Sequence, residues 1–144
     1  MRPRRYTKSK WQKKGISEAG AALAEFALVA LVFFILFFGI IEFSRAMFMY
    51  HHLAHAAREG SRYAIVHGST SMSPVDNNAV RDYVRSITPL DPNNLNVATT
   101  WQDGNNDPGS RVKVMVTYDF RFSIPVWFGT NIPLASTSEM VISY

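Results

Sequence analysis

The sequence predicts an α+β protein: one long N-terminal helix, its first half transmembrane, with a small antiparallel sheet packed on its extracytoplasmic half. Three observations predict it. From Phe26 to Ile41 every residue is apolar or glycine, FALVALVFFILFFGII. Beyond that run, small and apolar residues recur at helical spacing as far as Ala64. Later still, Val112, Val114, Val116, Tyr118, Phe120 and Phe122 alternate with polar partners at the period of a strand.

The apolar run comes first. Taken from Ala21 to Ile41 it holds a single charge, Glu25. As a helix it spans about 31 Å at ~1.5 Å per residue, the thickness of a bilayer core. A domain cut from 144 residues is too small to surround a helix that is apolar on every face, so lipid is the expected surrounding. Orientation follows from the flanks. Arg2, Arg4, Arg5, Lys8, Lys10, Lys13 and Lys14 precede the span with no acid among them, and only Arg45 follows closely. The positive-inside bias puts residues 1–19 in the cytoplasm and residues 44–144 outside.

Helical periodicity continues through Phe43, Met47, Tyr50, Ala54, Ala57, Ser61 and Ala64, a stripe expected to be covered by the rest of the chain. Glu42 with Arg45, and Glu59 with Arg62, are i, i+3 pairs that support the helix weakly. It is expected to stop near His67–Gly68. Residues 68–75 read as a loop, and 76–87 as a short amphipathic helix with Val80, Val84 and Ile87 on one face and Asp76 near its start. Strands are expected at 95–102, at 111–122 and, less clearly, at 134–144. DGNNDPGS forms the first turn, and Pro125, Gly129 and Pro133 mark a loop before the last strand. Four segments result: a basic leader (1–20), the transmembrane half of the helix (21–43), its extracytoplasmic half (44–67) and an α+β head (68–144).

Composition excludes several functions. The net charge of +4 resides in the leader, because from Glu42 onward eight basic residues face nine acidic ones. A basic tail beside an apolar run indicates membrane orientation and not nucleic acid. With no cysteine, disulfides, thiol catalysis and thiolate metal sites are out. No Ser/His/Asp grouping, phosphate loop or other catalytic set stands out, so no enzyme and no cofactor is expected.

The stretch that carries function is Gly20-Ala-Ala-Leu-Ala-Glu25-Phe26. A carboxylate inside a membrane helix costs about 2.5–3.5 kcal/mol on insertion scales and therefore needs a partner. Cleavage after Gly20 gives Ala21 a free amine that can pair with Glu25 of the same chain or of a neighbour. Glu25 then lies in the first helical turn, where the helix dipole favours an anion.

This arrangement resembles a type IV prepilin, with a basic leader, glycine at the cleavage point, glutamate at the fifth mature position and a long apolar helix. It is closer still to the TadE-like family of the tight-adherence (Flp, type IVc) pilus system, through GAALAEFALVALVFFILFFGIIEFSRAMF (20–48) and LAHAAREGSRYAIVHG (53–68). The closing STSEMVISY is similar more weakly. The resemblance implies a pilin-like fold and the role of a minor pilin or pseudopilin supporting assembly of a pilus used in adhesion and biofilm formation. It implies processing by a prepilin peptidase between Gly20 and Ala21, with Glu25 as the assembly carboxylate. Phe26, where major Flp pilins carry tyrosine, together with the large head points to the minor type. Arg58, Glu59 and Arg62, in the AREGSR stretch, become candidate partner contacts. Expected partners are other pilin-like subunits, the inner-membrane assembly machinery and the bilayer; the expected location is the bacterial inner membrane, single-pass.

Ser44-Arg45-Ala46 has small residues where signal peptidase needs them, but the apolar core is long for a signal peptide and helical periodicity runs through that point. An uncleaved membrane tether carrying a binding domain is the alternative, and it leaves Glu25 unexplained. His51, His55 and Glu59 share a helix face at a spacing that suits zinc, yet HHLAH lacks the glutamate of the HExxH motif, and a polar stripe outside the membrane is the plainer account. Asp103, Asn105 and Asp107 alternate like calcium ligands, but Pro108-Gly109 and the missing closing glutamate favour a hairpin turn. Trp127-Phe128 is the aromatic pair expected to be exposed.

Overall fold

The computed structural model describes residues 11–123 and 131–143, with side chains from Glu18 onward. Residues 1–10 of the leader and the Trp127-Phe128 pair lie outside the described residues. The elements, in chain order, are α1 (Trp11–Val66), α2 (Asn77–Ile87), β1 (Leu95–Trp101), β2 (Arg111–Arg121) and β3 (Asn131–Val141). The α+β architecture matches expectation: a long apolar N-terminal helix and a small antiparallel sheet packed on its later half. By contacts the chain divides between Ile41 and Glu42.

α1 starts ten residues earlier than Ala21, the expected start. The segment WQKKGISEAG has no proline and is rich in good helix formers. Its two glycines each cost about 1 kcal/mol against alanine, and a helix already nucleated downstream extends through them, because propagation is far easier than nucleation. At the other end the helix stops at Val66, next to the expected His67–Gly68.

Within residues 42–144, the core sits between the later turns of α1, helix α2 and the inner face of the sheet. Leu53, Ala56, Ala57, Ser61 and Ala64 of α1 are buried with Val80 and Val84 of α2 and with Leu95, Val97, Val112, Val114, Val116 and Phe120 of the sheet. This corrects the expected stripe. Ala57, Ser61 and Ala64 lie under the sheet, but Phe43, Met47 and Tyr50 are exposed. The sheet covers small residues, which let it approach the helix backbone, and leaves the large ones uncovered. Gly60 marks the closest approach: a Cβ there would stand 2.6 Å from Val84 Cγ2 and 3.1 Å from Val114 Cγ1.

The sheet order is β1-β2-β3, both pairs antiparallel. Register puts Val97 opposite Val116 and Val114 opposite Ser138, so the inner face is read continuously across the strands. β3 begins three residues before the expected Leu134 and includes Pro133, expected in the loop. As an edge strand it has one side with no ladder to satisfy, and a proline's missing N–H is tolerated there. The Gln102–Ser110 turn carries Gly104 and Gly109 at φ +80° and +91°, a region that favours glycine. Asp103, Asn105 and Asp107 serve as acceptors: Asp103 from the Arg111 N–H (2.8 Å) and Asn105 from the Ser110 hydroxyl within the turn, and Asp107 from the Ser69 hydroxyl (2.6 Å) in the loop after α1.

Candidate functional site

The expected functional residues fall on α1, in two stretches. In the first, α1 is apolar all round. Every large apolar side chain from Leu23 to Ile41 is exposed, fourteen in all. Leaving each of them in water forgoes about 1.5–3 kcal/mol, a total well above the ~5–15 kcal/mol that a folded domain retains. Such a surface requires a cover, and the helix is long and apolar enough to cross a membrane. Gly20 lies on helical backbone, and a Cβ there would meet nothing within 4 Å. Ala21 and Glu25 are exposed, and Phe26 is 71% exposed. Nothing else in this stretch supplies a partner for Glu25: from Ala21 to Ile41 it is the one charged residue.

The second stretch lies farther along the same helix. Arg58 is exposed on its surface, with its backbone carbonyl accepting from the Ser61 hydroxyl (3.0 Å). Glu59 and Arg62 line an open groove of about 410 Å³ with Tyr63, Val66, His67 and Tyr83. Among the described residues, the ion pairs do not include Glu59–Arg62, in contrast to the expected i, i+3 pairing. The floor of the groove is aromatic: Tyr63 stacks on Tyr83 at 4.2 Å, and its ring stands 4.3 Å from His67. His67 Nδ1 is 2.8 Å from the Tyr63 carbonyl, which fixes the ring. Sequence reasoning missed this groove, because Tyr83 comes from α2 and helical spacing on α1 alone does not reveal it.

A third arrangement had only half a sequence signal. Glu42, at the start of the 42–144 unit, has a side chain just 5% exposed and pairs with Arg45 Nη1 at 2.7 Å. The i, i+3 spacing had indicated that pair. It does not indicate that Ser123, two residues beyond β2, donates its backbone N–H to Glu42 Oε1 (3.0 Å) and accepts from Arg45 Nη1 through its hydroxyl (2.9 Å). The guanidinium also lies 5.3 Å over the Phe120 ring. Carboxylate, cation, ring and strand end thus form one closed latch, with the charge of Glu42 removed from the surface.

Ser61 is likewise buried and polar. Its hydroxyl lies 3.1 Å from the Ala57 carbonyl and 2.7 Å from the Ser138 hydroxyl of β3, so the helix and the far edge strand are joined by a hydrogen bond within the core. Among the described residues no group of three His, Asp or Glu side chains is gathered closely enough to hold a metal ion, His51, His55 and Glu59 included.

No curated protein and no solved structure matches the chain significantly. Over residues 20–62 the chain matches the family model described as TadE-like protein, so the resemblance read from the sequence holds across the segment that contains Gly20, Glu25, the apolar span and Arg58, Glu59 and Arg62.

Proposed function

We propose that the protein is a minor pilin or pseudopilin that supports assembly of a tight-adherence (Flp, type IVc) pilus serving adhesion and biofilm formation. The observation that carries this reading is a coincidence of position. The TadE-like match over residues 20–62 takes in the exposed, all-round apolar stretch 21–41, whose one charged residue is Glu25 near its start. In this account the helix anchors the chain in the inner membrane with the leader in the cytoplasm. A prepilin peptidase cuts between Gly20 and Ala21. Glu25 then pairs with the new Ala21 amine of a neighbouring subunit, and Phe26 packs beside it in the helix bundle. Arg58, Glu59 and Arg62 contact pilin-like subunits or the assembly machinery outside the membrane, and no catalytic chemistry is involved.

Glu25 separates this reading from a plain membrane tether, because a tether gains nothing from a carboxylate that costs about 2.5–3.5 kcal/mol to insert. The Glu25→Ala variant is expected to insert and accumulate normally in membranes yet fail to co-purify with pilin-like subunits. Co-assembly at the wild-type level contradicts the role and leaves the uncut tether as the better account.

A further inference from the structure

Just beyond Ile41, α1 keeps the surface of a membrane helix on one side while the sheet takes the other. Phe43 is 67% exposed, Phe48 57% and Met47 44%. With successive residues about 100° apart, Tyr50, Phe43, Met47 and Phe48 spread over about 160° of the helix. That arc is too broad for the seam against a single helix, which is a narrow stripe. The charges in the same two turns are withdrawn from it. Glu42 is buried and paired with Arg45, and it also accepts from the Ser123 amide. Arg45 is held against Phe120 and the Ser123 hydroxyl, with its side chain still 41% exposed. Within the arc the exposed polar residue is Ser44, a small hydroxyl; larger polar residues return to the open surface at His51, His55 and Arg58, with Tyr50 at the border.

We propose that residues 42–50 lie in the outer headgroup layer of the bilayer, so that the base of the head is seated in lipid instead of standing clear of it. Lipid is the partner of Phe43, Met47 and Phe48. The rise from Glu42 to Phe48 is about 9 Å at ~1.5 Å per residue, within the roughly 5–10 Å to which interfacial apolar faces sink. Tyr50 sits at the level where tyrosine concentrates in membrane proteins. The Glu42–Arg45–Ser123 latch makes the immersion tolerable: it hides the carboxylate and presents the remaining guanidinium N–H groups to lipid phosphates. This placement rests on the membrane-spanning reading of α1.

The absence of cysteine allows single-site spin labelling of the full chain in vesicles of phosphatidylcholine and phosphatidylglycerol. Labels at Leu36→Cys, Phe43→Cys, Met47→Cys, Phe48→Cys and Arg58→Cys would be compared for collision with oxygen and with a water-soluble nickel chelate. Labels at 36, 43, 47 and 48 are expected to meet the chelate several-fold less often than the label at 58 and to collide freely with oxygen. Chelate access at 47 and 48 equal to that at 58, with 36 still protected, overturns the immersion while leaving the span intact. Access at 36 as well removes the span on which the proposal rests, and the proposal with it. Spin–spin broadening at 43 or 47 that disappears on dilution with unlabelled protein assigns the face to a second copy of the chain and also overturns the lipid assignment.

Discussion

At Gly60, one hydrogen atom sets how closely the head is built around its helix. A methyl group there would meet Val84 Cγ2 at 2.6 Å, and Val84 is completely buried. Alanine raises helix propensity by about 1 kcal/mol over glycine, while overpacking a filled core costs about 1–3 kcal/mol. Because Val114 stands behind at 3.1 Å, the second effect wins. Gly60→Ala is expected to lower stability by up to ~2 kcal/mol net in denaturant titration of the full chain in detergent; an unchanged or raised midpoint would show that the helix and sheet have room to part. The same small residues explain what was hard to read. Ala56, Ala57, Gly60 and Ser61 carry a weak hydrophobic signal, whereas Phe43, Met47 and Tyr50 carry a strong one. The stripe drawn through the large residues therefore followed the exposed side over its first two turns. Glu25 is conspicuous as a charge inside an apolar run, and spacing indicates the Glu42–Arg45 pair, but the second partner of Glu42 is hidden, since Ser123 is remote in the chain and contributes a backbone amide.

The elements were legible wherever local chemistry specifies them. Asp76 is the N-cap of α2: its side chain accepts from the Ala79 N–H at 2.8 Å, and the helix begins at the next residue. β2 alternates cleanly because one face is buried. β3 does not, because Ser136 and Ser138 point to the helix side and Ser138 is satisfied by Ser61. An edge position also let the strand run through Pro133. Two carboxylates supply a test of these local devices. Asp76 is held below the ordinary aspartate value of 3.8 chiefly by the Ala79 N–H, and Asp103 chiefly by the Arg111 N–H with its guanidinium assisting. A carboxyl group depressed by folding contributes stability above its unfolded value and loses it as pH falls through its folded value. Stability is therefore expected to be level from neutral pH down to about 4 as far as these two groups are concerned, and to fall below that. In Asp76→Asn with Asp103→Asn, a thermal melt series should show a smaller drop between pH 4 and pH 2.5 than in the parent chain. An undiminished drop would place the acid sensitivity elsewhere.

Across the whole molecule, a helix long and apolar enough to cross a membrane continues into a head with no disulfide to staple it. The core of residues 42–144 closes around the later turns of α1, so the head depends on them, and Ser143 is tied to them as well: it donates its N–H to the Ile65 carbonyl at 3.2 Å. The head yields little about function, because the family match stops at residue 62 and the groove at Tyr63, His67 and Tyr83 is assembled from two helices. What the chain does is read instead from its first third, and the decisive step there is covalent. Intact-mass measurement with N-terminal sequencing, on protein extracted from the membranes of its native host, tests that step most directly. The account predicts a mature chain beginning Ala21-Ala-Leu-Ala-Glu25. A chain still carrying its leader, or one beginning at Met47, would contradict it.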